Sequence, residues 1–190
     1  MRQHGRVAGH PKAWRVSSDE RHERYFNRTR GSCQHPEVLT FPQTEMATHA
    51  ARELHRTSPD YLVNHCLRSY WWAVAVGQAE NVVFDAELLF VAAALHDLGL
   101  LEAFDRGNPF EVDGARAAGQ FASSEGMPGD RVGVVQEAIA LHVARNVLVG
   151  DGPEAYLLWH GTGVDVSGAR ADELDPFLVT EVLRQLPRRG

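Results

Sequence analysis

The chain has 190 residues, of which 44% are hydrophobic and 23% charged, and its formal net charge is −6. That length accommodates one domain with its own core, and the balance is ordinary for a globular protein that folds in water. The longest apolar stretch, Ala86 to Leu95, is interrupted by Glu87 and is far too short to cross a bilayer, so no membrane-spanning role is expected.

The charge is unevenly spread. Residues 1–36 carry eight Arg or Lys against three Asp or Glu, a net +5, and the remainder carries 11 basic against 22 acidic residues, a net −11. An acidic globule is not a nucleic-acid reader, whose footprint is a basic face. Residues 1–40 have few apolar residues and no steady period, so they are expected to form a loosely ordered basic leader to a single domain over residues 41–190. The two cysteines, Cys33 and Cys66, cannot make a framework of bridges, and no apolar core follows the first basic residues. A cytoplasmic setting is expected.

From there the chain reads as a series of helices. Thr44 is placed to cap a first helix running to about Arg56. Ser58-Pro59 starts a long second one to about Ala79, with Pro at the first helical position. Asp85 caps a third that runs to Leu98 and stops at Gly99. After a loop rich in Gly, Asn and Pro, Asp113 is expected to cap a helix ending near Gly126, and Asp130 to open another reaching His142 or Arg145. Gly152-Pro153 starts a helix through Trp159, and Asp175-Pro176 a last one through Leu186. Val132 to Val135 is the one stretch that also fits a strand. The predicted class is all-α, a compact bundle of about six to seven helices.

Three pieces carry chemistry. The helix ending in Leu95-His96-Asp97 is apolar nearly all round, so it belongs in the middle of the core. A carboxylate at its buried end costs several kcal/mol unless compensated, either by a divalent cation or by an arginine such as Arg68. His65 sits at the edge of the stripe formed by Leu62, Cys66, Ser69, Ala73 and Val76, where it can point into a cleft or be a satisfied core histidine. Asp165 lies between two valines in a glycine-rich segment after a predicted helix, where capping a turn is its plain structural role.

The ordered set of a His on one helix, His-Asp at the end of the next, and a distant Asp resembles the HD superfamily of metal-dependent hydrolases. Several stretches extend the likeness: Ser58-Pro-Asp-Tyr-Leu-Val-Asn-His65, Leu95-His-Asp-Leu-Gly99, Phe110-Glu-Val-Asp-Gly-Ala115, Glu137-Ala-Ile-Ala-Leu-His142 and Gly163-Val-Asp-Val166. They look like the cyanamide hydratase-like branch, and the resemblance runs from about Phe41 onward. It implies that His65, His96, Asp97 and Asp165 hold one divalent metal ion, zinc before iron or manganese, with positions left open for water or substrate. It further implies hydration of a small polar, nitrile-like substrate.

Glu111, within the shared Phe-Glu-Val-Asp-Gly motif, is expected to act as general base or substrate orienter, with support of the following helix's N-terminus as its structural alternative. His142 closes an apolar helical run and is expected to face the cleft as proton carrier or substrate contact. Asn64 and Arg68, beside His65, are expected to touch substrate together with His142. His160 would be a ligand only in a two-metal site, and it lies just five residues before Asp165, so one metal is preferred. Trp71-Trp72 read as packing.

Two other functions use the same scaffold. Phosphoester hydrolysis, of nucleotides or other substrates, would need cations around the pocket, for which Arg68, Arg116 and Arg145 are the candidates. HD nucleotidases often carry an acid three residues after the His-Asp pair, where this chain has Leu100. A non-catalytic ligand-binding module would be expected to have lost a ligand residue. The expected partner is a small molecule, not nucleic acid or membrane, and homo-oligomerisation is left open. Because residues 1–36 lack an apolar pattern that could dock, deleting them is expected to leave melting temperature and catalysis nearly unchanged. A large loss of either would place the leader in the core or the pocket.

Overall fold

A computed structural model of the chain describes residues 41–188, which belong to one compact unit. The expectation for the basic leader falls on residues 1–40, outside the described residues. Among the described residues there are seven α-helices and no strand: α1 (Glu45–Thr57), α2 (Asp60–Glu80), α3 (Ala86–Leu95), α4 (Phe110–Ser124), α5 (Gly129–Leu141), α6 (Pro153–Ser167) and α7 (Pro176–Gln185). None of them is long and apolar enough to cross a membrane.

Three expected caps are present. Thr44 accepts from Ala47 N at 3.1 Å, Asp85 accepts from Glu87 N and Leu88 N at 3.0 and 3.1 Å, and Asp175 accepts from Phe177 N at 2.8 Å. Each satisfies backbone donors that a first turn leaves free. The stretch Val132 to Val135 is helical, within α5.

Helix α3 is the centre of the bundle. It packs against α1, α2, α4, α5 and α6, and every residue from Leu88 to Leu95 is buried. Its apolar composition on all sides requires such a position, because no face of it gains by meeting water. Helix α2 is buried more completely than one stripe implies, with Tyr70, Trp71 and Trp72 covered as well.

Several boundaries differ from expectation. Pro59 caps α2 rather than being its first residue, because the helix begins at Asp60, and α5 is opened by Pro128 and Gly129, with Asp130 already inside its first turn. α3 ends at Leu95 rather than Leu98: His96 and Asp97 form a turn and Leu98–Leu100 a single 3-10 turn. α4 starts at Phe110, and Asp113 is not its cap. The Asp113 carboxylate instead reaches back to the preceding loop, accepting from Arg106 N at 2.7 Å and from Asn108 Nδ2 at 3.1 Å. α6 continues through Gly161-Thr-Gly163 to Ser167 and stops at Gly168, whose φ of 74° is the left-handed conformation of a helix end.

The last difference has a packing cause. Glycines weaken an isolated helix by about 1 kcal/mol each, but Gly161 is where α6 lies directly on α2. A Cβ at Gly161 would collide with the Ser69 carbonyl and come within 2.9 Å of the Ala73 Cβ. Close approach of two helix backbones offsets the poor propensity. Gly161→Ala is therefore expected to destabilise the fold by at least about 2 kcal/mol, the scale of forced overpacking. Urea denaturation reads this directly, and an unchanged midpoint would contradict it.

Candidate metal centre

Three ligand atoms converge where α3 ends. His65 Nε2 lies 3.1 Å from His96 Nε2 and 3.4 Å from Asp97 Oδ2, and His96 Nε2 lies 3.3 Å from the same oxygen. His65 comes from α2, while His96 and Asp97 come from the turn after α3. Asp97 (φ −98°, ψ 11°) has left helical geometry, which lets its carboxylate swing beside both rings. Gly114 allows this turn to seat on α4, since a Cβ there would stand 2.7 Å from the His96 carbonyl oxygen.

The outer nitrogens decide which atoms face inward. A carbonyl or carboxylate oxygen only accepts, so the ring nitrogen opposite it must donate. His96 Nδ1 donates to the Ala93 carbonyl at 2.8 Å, and His65 Nδ1 donates to Asp165 Oδ2 at 2.7 Å. In the neutral rings both Nε2 atoms then carry lone pairs, aimed at a carboxylate oxygen and at each other. Three lone pairs this close call for a positive charge between them. Bonds of about 2.0–2.2 Å from zinc to N or O would give tetrahedral ligand–ligand edges of about 3.3–3.6 Å, close to the spacings here. The group His65, His96 and Asp97 can hold a metal ion.

Burial and polarity reinforce this. His96 is fully buried, and burial pushes its imidazole down to about 4, with Asp97 opposing the shift. Near neutral pH it is therefore an uncharged, ligand-ready ring.

Asp165 takes a different place from the one the resemblance implied. It lies inside α6, 2% exposed, and does not join the three-residue group. Oδ1 accepts from Arg68 Nε at 2.7 Å and Trp72 Nε1 at 2.9 Å, and Oδ2 from Arg68 Nη2 at 2.9 Å and His65 Nδ1 at 2.7 Å. Burial alone would raise its pKa, but the hydrogen bonds from His65, Arg68 and Trp72 hold it well below the usual carboxylate range. In this arrangement Asp165 orients His65, as a carboxylate behind a metal-ligating histidine does.

The arginine that sequence reasoning offered to Asp97 thus belongs to Asp165. Arg68 also donates from Nη1 to the carbonyls of Leu186 and Pro187, at 3.1 and 3.2 Å. Asn64 Nδ2 donates to Pro187 O at 3.0 Å. Neither lines the cavity beside the site, so their role as substrate contacts is not supported; they tie the segment after α7 to α2.

That cavity has a volume of about 540 Å³ and opens beside His65, His96 and Asp97. His142 lines it, with Nδ1 donating to Ile139 O at 2.5 Å and Nε2 3.8 Å from Asp97 Oδ1. Burial lowers the His142 pKa. Glu111 stands half-buried in the first turn of α4, near enough to His142 to favour its charged form, but outside the cavity wall.

Sequence reasoning missed two features. The Trp72 indole N–H is a donor to Asp165, and nothing in an apolar mid-helix run signals it. Trp159 and His160 form a cavity wall, which becomes readable only once α6 is known to continue past them.

No known protein-family model matches the chain, and no curated protein matches it.

The buried histidines make stability depend on pH. His96 is depressed to about 4 from an ordinary 6.5, and His142 is shifted the same way. The unfolded chain therefore takes up protons first as pH falls. Stability present above pH 6.5 is lost progressively down to about 4, by about 3 kcal/mol for His96. Asp165, whose pKa is lowered from 3.8, loses its contribution only below that window. Melting temperature recorded from pH 7 to 4.5 on metal-free protein should fall steadily, and a flat profile would contradict the assignment.

Proposed function

We propose that the chain is a metal-dependent enzyme of the HD type that adds water to a small polar substrate, with hydration of a nitrile-like group as the leading reaction. The observation that supports it most is the convergence of His65 Nε2, His96 Nε2 and Asp97 Oδ2 within 3.1–3.4 Å of one another, at the edge of a cavity of about 540 Å³. Three protein ligands with a side open to a cavity suit a catalytic metal rather than a structural one. One divalent ion per chain, zinc before iron or manganese, is the cofactor that this mixed nitrogen and oxygen set favours. Such an ion, when bound, lowers the pKa of water and polarises a substrate.

The chain's own residues supply the rest. His142 is the proton carrier that the cavity favours over Glu111. Its Nδ1–H is committed to Ile139 O, so the neutral ring keeps an Nε2 lone pair beside Asp97 at the cavity wall. His142 accepts a proton from the attacking water and returns one to the substrate nitrogen. In nitrile hydration the water oxygen bonds to the nitrile carbon, both water protons end on nitrogen and oxygen of an imidic acid, and tautomerisation gives the amide. Nothing leaves, and no electrons are gained or lost. Asp165 keeps His65 oriented, and Arg68 neutralises Asp165.

Three variants test this division of labour. His142→Gln is expected to keep one metal per chain while turnover falls by about 10²–10⁴-fold, the scale of a lost general acid–base. Glu111→Gln should be milder. Asp97→Ala should lose both metal and turnover, because it removes a ligand from a buried site. Elemental analysis and steady-state kinetics with cyanamide and a phosphomonoester side by side read all three. Full turnover in His142→Gln with a dead Glu111→Gln would reverse the roles, and a metal-replete, active Asp97→Ala would remove the site.

A further inference from the structure

The cavity is far larger than its reactive end requires. A molecule of three heavy atoms fills no more than about three water volumes, roughly 90 Å³ at ~30 Å³ each. The cavity holds about 540 Å³ and lies in the size range of sites for larger organic ligands.

Its walls are apolar away from the histidines. Leu100, Phe110, Val143, Trp159, Val166 and Ala169 contribute to them. The polar groups among these walls are largely spent on the protein itself. Trp159 Nε1 donates to Ala144 O at 2.9 Å, Thr162 Oγ1 to Trp159 O at 3.1 Å, and Ser167 Oγ to Gly163 O at 2.7 Å.

No Lys or Arg is among the described residues that line the cavity. The three arginines that a phosphoester site would use are placed elsewhere. Arg68 is paired with Asp165, Arg116 donates to Phe104 O at 2.9 Å, and Arg145 is exposed outside the wall. Behind the wall, Arg170 lies 3.2 Å from His160 Nε2, but its charge is met by Glu80 at 2.6 Å and Glu173 at 2.7 Å. A phosphate or carboxylate bound along these walls would find no cationic partner there, whereas such groups are normally held by charge-assisted bonds.

We infer that the cavity takes an uncharged organic molecule with a sizeable aromatic or aliphatic body, its reacting nitrile or amide end at His65, His96 and Asp97 and its body against Trp159 and Val166. The assignment of the reacting end rests on the proposed function; the size and neutrality of the body rest on the cavity alone.

The test is binding of primary amides to the full chain loaded with zinc, by titration calorimetry. Formamide, butanamide, hexanamide and benzamide vary the body, and phenyl phosphate adds charge to the same ring. The dissociation constant should improve about 3–4-fold for each methylene between butanamide and hexanamide, the effect of burying one CH₂. Benzamide should bind at least ten-fold more tightly than either formamide or phenyl phosphate. Val166→Trp fills the cavity from a side chain that is 75% exposed, so folding should tolerate it. It should weaken benzamide at least ten-fold while zinc content stays at one per chain.

A series with no dependence on length, or phenyl phosphate binding more tightly than benzamide, overturns the inference, even if cyanamide is turned over. Absence of zinc uptake and of any turnover would sink the proposed reaction instead. The amide series repeated on the metal-free chain would then still decide the cavity's preference.

Discussion

The Asp165 carboxylate holds the site and the bundle together at once. It projects from α6 and accepts four hydrogen bonds from α2, two from Arg68 and one each from Trp72 and His65. A buried carboxylate without such partners would cost several kcal/mol, and removing one partner of a buried ion pair typically costs about 3–5 kcal/mol. The α2–α6 contact must therefore form with this register or not at all. Gly161, one turn earlier on α6, lets the two helix backbones approach closely enough for these bonds to be short.

The same interaction sets the direction of His65. With Nδ1 committed to Asp165, Nε2 has to face the end of α3. The Ala93 carbonyl performs the equivalent task for His96, and the Ile139 carbonyl for His142. Three imidazoles are thus held by acceptors behind them, each with its second nitrogen turned toward Asp97. Preorganisation of this kind removes the cost of arranging ligands when a cation arrives. The converging atoms of His65, His96 and Asp97 lie at one end of a cavity whose other walls are largely apolar, and that asymmetry gives a bound molecule an orientation.

Much of this was legible from residue order. The apolar helix Ala86 to Leu95 had to be central, because all its faces shun water, and a His-Asp pair at its end had to be compensated. The caps at Thr44, Asp85 and Asp175 are local: each side chain reaches a backbone donor two or three residues on, so neighbouring sequence is enough to foresee them. The class of fold follows from such local features, and the order of His65, His96 and Asp97 along the chain was enough to expect them together.

What only the tertiary structure decided involves partners distant in sequence. Gly161-Thr-Gly163 reads as a break, yet α6 runs through it because packing on α2 outweighs helix propensity. Asp165 consequently sits on a buried helix face, a hydrogen-bonding partner of Arg68 and Trp72 about a hundred positions earlier. Asn64 and Arg68 are drawn away from the cavity by the carbonyls near Pro187, a long-range pairing with no trace in the spacing of residues. Sequence by itself determined which helices form and which polar groups would be costly to bury. The division of those groups between the trio that can hold a cation and the residues that support it depended on how helices far apart along the chain came into contact.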